Sequence, residues 1–455
     1  MTLAASLPGA GTIAAALVCS LVVIAALVVL MRRRSDALPL LAILALPFRL
    51  PISADGRTVN LLIPLYLVVA AGTLAHLLPR WLARGQAEAT AHERHPTLRS
   101  WSSWLSPRGV EWLLFGAIAL YAVQAGYSGD RVKAAENIAF FYVPFALLFL
   151  LLRDVPWTRE LLLRCVAVAV TLAVVFAGVG FVEYYRKALF LNPKVVAANQ
   201  YDNYFRVNSL FFDPSIYGRF LALVMIAVTT IVLWSRQRRE VLLGAAVLTW
   251  LLAGLVTSFS QSSIAALLLG LAVLAAWRWN VRDTIYVSVG VLALGGAILL
   301  LAPASLHFGL KGSSGSTSNA TSGRANLISG GLELFAKRPL EGYGSGSFET
   351  EYKRHSNATA ENATSASHTI PVTVAAEQGI IGLAVYAALL VSAFFVLFSG
   401  AGRSPPRIAM AACFAALVLH TWTYADFLED PFTWTLLAIG VALARQARAA
   451  PDSGF

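Results

Sequence analysis

Charged residues are scarce in this chain. Asp, Glu, Lys and Arg make up 13% of its 455 residues and apolar residues make up 58%, whereas a typical soluble domain is about a quarter charged and about half apolar. This composition argues against a soluble globular protein. It also argues against intrinsic disorder, which requires low hydrophobicity and high charge. The composition instead indicates an integral membrane protein.

Cysteine and acidic residues are also few. The three cysteines, Cys19, Cys165 and Cys413, lie inside apolar stretches, where cysteine behaves as a small core residue and no disulfide or zinc framework is indicated. The 24 acidic residues are outnumbered by 35 basic ones, which gives a net charge of +11. In a soluble protein this excess would suggest a nucleic-acid partner. In a membrane protein it reports topology first, so we expect no nucleic acid.

Apolar runs with little or no internal charge recur thirteen times along the chain. A membrane-spanning helix needs about 20 such residues, and this length accommodates the whole set. The sequence therefore predicts an all-α integral membrane protein with about 12–13 transmembrane helices. The expected spans are 11–31, 37–51, 58–78, 110–127, 137–152, 161–182, 213–234, 241–257, 262–277, 284–302, 370–398, 408–425 and 431–444.

Arginines orient the bundle, because they are concentrated in alternate short loops, and such loops are cytoplasmic. The N-terminus is then outside and the C-terminus inside. This predicts ten spans within residues 1–302 with an external loop at 183–212, a large external loop at 303–369, and three spans within 370–455. The arginines that set this orientation are Arg32, Arg33, Arg34, Arg80, Arg84, Arg94, Arg99, Arg108, Arg153, Arg159, Arg236, Arg238, Arg239, Arg278, Arg282, Arg403, Arg407, Arg445 and Arg448.

Eleven basic residues lie in or beside the two long external loops, against the positive-inside tendency. Their natural partner at a membrane surface is a phosphate, a pyrophosphate or a lipid headgroup, and arginine suits phosphate through its bidentate fork and permanent charge. The alternative is a solvated loop face or plain contact with lipid headgroups. The eleven are Arg186, Lys187, Lys194, Arg206, Arg219, Lys311, Arg324, Lys337, Arg338, Lys353 and Arg354.

The second long loop contains a short amphipathic helix and a glycine-rich turn. Residues 324–338 place apolar side chains on one face at helical spacing, and Pro339 ends the helix. Gly342, Gly344 and Gly346 follow at alternate positions, which permits a tight turn with closely spaced backbone N–H groups. Such a turn can hold an anion. The alternative is an ordinary flexible loop.

Two ionisable residues flank the start of the next span. His368 precedes a helix whose positive end disfavours imidazolium, so its ring is expected to be neutral, as a general base must be. Glu377 lies nine residues further, two to three turns into the membrane, and must have a partner there. That partner is either the substrate or the loop backbone. Asp426, Glu429 and Asp430 also cluster at an external span end, but their spacing is not diagnostic of a metal site.

This order of motifs resembles the O-antigen ligase and polymerase superfamily of bacterial membrane glycosyltransferases. The resemblance covers about 200–382. It begins with an arginine segment, Arg206-Val207-Asn208-Ser209-Leu210-Phe211-Phe212-Asp213-Pro214-Ser215. It continues with Arg324, Pro339-Leu340-x-Gly342-x-Gly344-x-Gly346-x-Phe348, His368 and Glu377-x-Gly379-x-x-Gly382. Two departures are Thr369, where many members have Asn, and Ser260-Gln261-Ser262, where many have an arginine after a serine.

The resemblance implies a glycosyltransferase C-type fold and an activity. The family transfers a glycan from a polyprenyl (undecaprenyl) pyrophosphate carrier to an acceptor hydroxyl, outside the bacterial cytoplasmic membrane, without metal or other cofactor. Carried over, Arg206 and Arg324 bind the pyrophosphate and His368 activates the acceptor or positions the leaving group. We add six expected substrate-binding residues: Arg219, Lys337, Arg338, Gly344, Gly346 and Glu377.

Several functions remain open at this point. A ligase that builds lipopolysaccharide, a polymerase that joins carrier-linked repeats and an enzyme with a protein acceptor would share these residues, and the motif order slightly favours a ligase. A flippase or other transporter would place charges near the bilayer midplane and carry repeats. Here the ionisable residues cluster at the external interface and no repeat is evident. A purely structural subunit would not explain Arg206, Arg324 and His368.

Overall fold

A computed structural model describes residues 10–54, 57–88, 104–190, 205–286, 324–356, 367 and 369–449. Within these ranges the chain is helical apart from one short β-hairpin. The helices are α1 (Ala10–Arg33), α2 (Ala37–Ala45), α3 (Ile63–Gly72), α4 (Leu78–Glu88), α5 (Pro107–Ala125), α6 (Arg131–Asn137), α7 (Val143–Leu152), α8 (Arg159–Arg186), α9 (Pro214–Trp234), α10 (Arg238–Thr257), α11 (Gln261–Arg278), α12 (Arg324–Lys337), α13 (Phe348–Ser356), α14 (Ile370–Phe398), α15 (Pro405–Thr423) and α16 (Pro431–Ala449).

Eight helices in the described ranges are long and apolar enough to cross a membrane, which confirms an all-α integral membrane protein. Two of the eight are composite: π-helical turns at Thr73–Leu77 and Ile138–Tyr142 join α3 to α4 and α6 to α7. The expected spans 110–127, 408–425 and 431–444 correspond to helices of 19 residues each. The expected span 284–302 lies mostly outside the described residues.

The expected second span, 37–51, has a different structure. Helix α2 has only nine residues, or about 13 Å, too short to cross a bilayer. It is followed by an antiparallel hairpin of β1 (Leu50–Ala54) and β2 (Arg57–Leu61). The dipeptide between the strands is Asp-Gly, which is typical of tight hairpins. Apolar composition alone did not distinguish this short helix and strand from one span.

Two apolar cores run through the bundle, and α15 and α16 lie between them. One core joins α1–α3, α5, α7 and α14, and the other joins α8–α11. Along α15, Phe414 and Val418 belong to the first core, whereas Ala412 and Ala416 belong to the second. Successive helical faces of α15 therefore hold the two halves together, which makes the connections at its ends structurally important.

The two ends of the bundle differ in chemistry. At one end, which we call the arginine face, Arg153 contacts Glu111 at 2.5 Å, Arg445 contacts the same carboxylate, and Arg80 pairs with Asp154 at 3.0 Å. At the opposite end α5, α8, α10 and α15 finish and α9, α11, α14 and α16 begin. We call this end the loop face. Every expected site residue that the structure describes belongs to the loop face.

Candidate active site

Helix α14 is broken at Gly379, about two and a half turns after its first residue, Ile370. Gly379 has φ +64° and ψ −162°, which no helical residue adopts. A break inside a membrane-spanning helix frees backbone N–H and C=O groups that must find other partners. The glycine-rich segment 339–348 supplies them. On one side of the break, the Ile380 N–H donates to the Pro339 carbonyl at 2.8 Å.

On the other side of the break the segment pairs with α14 through its own N–H groups. Tyr343 donates to the Ala376 carbonyl at 3.2 Å, and Gly344 donates to the Glu377 carbonyl at 2.8 Å. The motif therefore runs along the helix break as an added strand runs along a sheet edge. It is a docked structural element, and the flexible-loop alternative does not describe it.

The side chain of Glu377 completes this docking. Its carboxylate accepts hydrogen bonds from the backbone N–H groups of Gly346 at 2.8 Å and Phe348 at 3.0 Å. The Phe348 amide opens α13, so the carboxylate also lies at the positive end of that helix. The glycine turn does enclose an anion, as its pattern allows, but the anion is this carboxylate. The Gly344 and Gly346 amides are already occupied by Glu377 and are not open to a substrate.

Two glycines are required by the close approach of the segment to α14. A Cβ atom on Gly342 would lie 2.3 Å from the Glu377 carbonyl oxygen, and one on Gly379 would lie 2.2 Å from the Leu340 carbonyl oxygen. Both glycines also have a positive φ, +70° at Gly342 and +64° at Gly379, a conformation disfavoured for other residues. The glycine spacing in the sequence thus reflects backbone-to-backbone contact.

Helix α12 packs against α14 in a parallel arrangement. Gly331 faces Val372, where an added Cβ would lie 2.6 Å from the valine side chain, and Pro339 contacts Ile380. Each pair is 41 positions apart in sequence, so the two segments advance together in the same direction. The first residues of α12 therefore lie at the same end as the first residues of α14.

This arrangement bears on two of the three expected catalytic residues. Arg324 is the first residue of α12, and its side chain is not among those described. His368 lies outside the described residues, but both neighbours are anchored at the start of α14. The Ser367 N–H donates to Thr373 Oγ1 at 3.0 Å, and the Thr369 N–H donates to Ser367 Oγ at 3.2 Å. The residues that flank His368 are thus held at the end where α12 begins.

Arg206 lies on the loop face in the other half of the bundle. Its Nε donates to the Ser258 carbonyl at 3.3 Å, and the neighbouring Val207 N–H donates to the Thr257 carbonyl at 3.2 Å. This segment therefore lies on the turn that connects α10 to α11. Beyond it, Ser260 caps α11 by accepting from the Ser263 N–H. Arg206 is half-buried and lies near the positive end of a helix.

Arg219 is buried in the bundle. Its Nη2 lies 2.7 Å from Asp430 Oδ2, and the side chains are 1% and 0% exposed. Its Nη1 also donates to the Ala425 carbonyl at 3.5 Å. This pair ties α9 to the turn at 425–430 between α15 and α16. Arg219 was expected to bind substrate; the structure places it where it fixes that turn.

Lys337 and Arg338, also expected to bind substrate, are exposed at the end of α12. The guanidinium of Arg338 lies 4.6 Å from the centre of the Tyr343 ring, within the range of a cation–π contact. This contact keeps Arg338 beside the docked segment. Both cations remain open to an anion that approaches the loop face.

A cavity lies on the loop face between α5, α6, α14 and the 425–430 turn, and we call it the acidic cavity. Its outer part is lined by Tyr121, Lys133, Asn137, Glu377, Asp426 and Glu429, and its inner part includes Ala117, Val385 and Leu389. Sequence reasoning singled out Glu377, Asp426 and Glu429 but passed over Lys133 and Asn137. Lys133 could have been found in the same way as the eleven basic residues above, because it is another cation in a predicted external loop.

Burial dominates the electrostatics of the 425–430 turn. It raises the pKa of Glu429 to about 7, with Asp426 adding to the shift and Lys133 and Arg49 opposing it. Burial also raises the pKa of Asp430, against the lowering effect of Arg219. In the described part of the chain no group of three or more His, Cys, Asp and Glu side chains is placed to hold a metal ion.

A comparison with known families adds a finding that the geometry alone does not give. A family model described as O-antigen ligase matches residues 246–387, from within α10 to within α14. The match includes Arg324, the docked segment, His368 and the helix break, and it confirms the resemblance drawn from sequence over those residues. It begins after Arg206. No curated protein matches the chain.

Proposed function

Because residues 246–387 match the O-antigen ligase family, which supports placing the chain in the O-antigen ligase superfamily, we propose that it is a glycan transferase of the cytoplasmic membrane. It takes a glycan from a polyprenyl pyrophosphate carrier and joins it to an acceptor hydroxyl. The loop face is the outer side, because the arginine face carries the cations expected in the cytoplasm. The proposal also keeps the predicted organisation of the chain, with ten spans within residues 1–302, a large external loop at 303–369 and three spans within 370–455.

The observation that carries the proposal is the parallel register of α12 and α14. It places the backbone of Arg324 at the end of α14 where Ser367 and Thr369 are anchored, so a guanidinium and the imidazole of His368 can face one substrate. The docked segment fixes that register through backbone hydrogen bonds. In this proposal the helix break and the glycine-rich segment serve to bring Arg324 and His368 to one substrate.

The chemistry follows from the bond that breaks. The anomeric carbon–oxygen bond to pyrophosphate is already activated, and the leaving pyrophosphate gains negative charge as it departs. Fixed guanidinium groups of Arg206 and Arg324 would stabilise that charge more in the transition state than in the ground state. His368 would take the proton from the acceptor hydroxyl, which attacks from the opposite face and inverts the anomeric carbon. In this scheme the positive charge that stabilises the leaving pyrophosphate comes from the guanidinium groups of Arg206 and Arg324.

The acceptor distinguishes a ligase from a polymerase. A ligase acts on a sugar of a different lipid, such as the core of a lipopolysaccharide, whereas a polymerase acts on a second carrier-linked repeat. We favour the ligase, because the matched family is described as O-antigen ligase. Arg219 acts in this scheme as a positioning residue through Asp430, and Lys337 and Arg338 attract the anionic donor.

The test is transfer by the purified full-length chain in lipid nanodiscs. A polyprenyl pyrophosphate-linked glycan is supplied with and without a candidate acceptor lipid, and released carrier pyrophosphate is measured. The proposal expects release that depends on the acceptor, and loss of about 3–4 kcal/mol of transition-state stabilisation, or 10²–10³ in rate, for Arg324→Gln. Movement of the intact donor between leaflets without release would instead identify a flippase.

A further inference from the structure

A second buried carboxylate holds the segment that carries Arg206, much as Glu377 holds the glycine-rich segment. Glu183 lies near the end of α8 on the loop face and is 0% exposed. Its carboxylate accepts a hydrogen bond from the Ser209 N–H at 2.7 Å and another from the Phe190 N–H at 3.0 Å. These two donors are 19 positions apart in sequence, and Arg206 lies between them, three positions before Ser209. One side chain therefore ties both to α8.

The backbone that follows Arg206 is held from two sides. On one side, the Val207 N–H donates to the Thr257 carbonyl at the end of α10, at 3.2 Å. On the other side, Ser209 Oγ donates to the Phe176 carbonyl of α8 at 2.7 Å. The segment thus bridges α8 and the turn that connects α10 to α11, and the position of Arg206 depends on both attachments.

The attachment to α8 holds Ser209 in a disfavoured backbone conformation. Its φ is +53°, in the left-handed region that residues other than glycine seldom adopt. Such a conformation persists only where the surroundings over-determine it, and here both the N–H and the hydroxyl of Ser209 are bonded to α8. Ser209 is 0% exposed, so without the Glu183 carboxylate its N–H would be buried and unpaired, which is costly. Relaxation of Ser209 would then displace Arg206.

We propose that Glu183 is a positioning residue, which holds Arg206 where its guanidinium meets the pyrophosphate of the carrier. The inference rests on the proposed function, which assigns Arg206 to that group. Glu183 acts through Ser209 and does not touch the substrate, because it is fully buried and both of its carboxylate oxygens accept from backbone N–H groups. The same device then serves both proposed pyrophosphate-binding arginines: Glu377 fixes the start of α12, and Glu183 fixes the Arg206 segment.

The experiment measures how tightly the full-length protein binds undecaprenyl pyrophosphate that carries no glycan, by native mass spectrometry of a titration without acceptor. Arg206→Gln should weaken binding about tenfold or more, as the loss of a charged hydrogen-bond donor predicts. Glu183→Gln keeps the size of the side chain but only one acceptor oxygen, and should weaken binding about three- to tenfold. Added to Arg206→Gln, it should have less than about a twofold effect, because no guanidinium remains to be positioned.

Hydrogen–deuterium exchange of the backbone amides of residues 205–210 gives a second readout that needs no ligand. Glu183→Gln should speed exchange there about tenfold or more. The matched control is Glu240→Gln, because Glu240 is an exposed carboxylate near the start of α10 that accepts from Ser235 Oγ at 2.5 Å. It should change neither carrier binding nor exchange. Thermal unfolding shows which variants are folded. If Glu183→Gln is not, Ser209→Ala replaces it, since it removes only the hydroxyl bonded to Phe176 and should give the same Arg206-dependent loss.

Two results would overturn this inference and leave the proposed function standing. One is carrier binding that Arg206→Gln weakens and Glu183→Gln does not, with exchange at 205–210 unchanged. The other is an equal loss of binding from Glu183→Gln with and without Arg206, because a purely structural role weakens binding in either background. If Arg206→Gln binds the carrier as tightly as the wild type, the pyrophosphate role of Arg206 in the proposed function is itself wrong, and the inference falls with it.

Discussion

The carboxylate of Glu377 lies 2.8 Å from the backbone nitrogen of Gly346, so that one acidic side chain in a broken helix holds a glycine-rich segment in place. Together with the backbone pairs on both sides of Gly379, this contact makes α14 and the segment one unit. The start of α12 is thereby fixed relative to the start of α14. The arrangement of the proposed catalytic residues depends on that unit.

Replacing Glu377 by Ala should undock the segment. Two backbone N–H groups would lose a charged acceptor, which we expect to lower the free energy of unfolding by on the order of 3 kcal/mol and to remove activity. Thermal unfolding and limited proteolysis of residues 339–348 would show both effects. Glu349→Ala, which breaks only an exposed ion pair, should cost at most about 1 kcal/mol. Equal behaviour of the two variants would contradict the docking role.

Gly379→Ala should be far more harmful than an ordinary helix substitution. The new Cβ would meet the Leu340 carbonyl oxygen at 2.2 Å, at a φ of +64° that itself costs about 1–3 kcal/mol for alanine. Gly116 in α5 is a matched control, because a Cβ there meets nothing within 4 Å. Gly116→Ala should stabilise its helix by about 1 kcal/mol. The melting temperatures of the two variants are therefore expected to move in opposite directions.

Arg219 and Asp430 should show strong thermodynamic coupling. Removing either partner leaves a buried charge uncompensated, which typically costs 3–5 kcal/mol. The double variant Arg219→Met with Asp430→Asn should recover much of that loss, and a double-mutant cycle of unfolding free energies measures the coupling. Additive losses would show that the pair does not hold the 425–430 turn.

Glu429 should make the stability of the protein pH-dependent. Its folded pKa of about 7 lies above the ordinary value, so the folded state binds more protons than the unfolded state between those two values. Stability is therefore highest at the acidic end, falls as the pH rises through about 7, and is flat above it. Unfolding measured from pH 5 to 8 should show a steeper decline for the wild type than for Glu429→Gln. If the stability of Glu429→Gln fell as steeply with pH as that of the wild type, the titrating group would be a different residue.

Much of the fold could be predicted from the sequence. Composition gave the membrane class, and apolar runs located most long helices, because a bilayer imposes a simple length requirement. The short α2 and the hairpin at 50–61 were missed, since an apolar run does not reveal whether it continues as one helix. The π-helical turns depend on packing between helices, which a linear pattern does not contain.

The site could be predicted only in part. The motif order pointed to the family whose model matches residues 246–387 and to the segment that docks on α14, and Glu377 was correctly expected to need a partner. The sequence did not show that this partner is the loop backbone and not the substrate, because the break at Gly379 that lets the segment dock is a tertiary feature. Arg219 and Asp430 are distant in sequence, and no local pattern pairs them. Lys133 was overlooked because the external loop predicted around it is short.

The most direct test of the central claim is a single-turnover transfer measurement on Arg324→Gln, His368→Ala and their combination, with a polyprenyl pyrophosphate-linked glycan and its acceptor. If the two residues act on one substrate, each single variant should lose 10²–10³ in rate and the double variant should lose much less than the product of the two, since residues that work as a unit are not additive. Full activity in His368→Ala, or strictly multiplicative losses, would contradict the account.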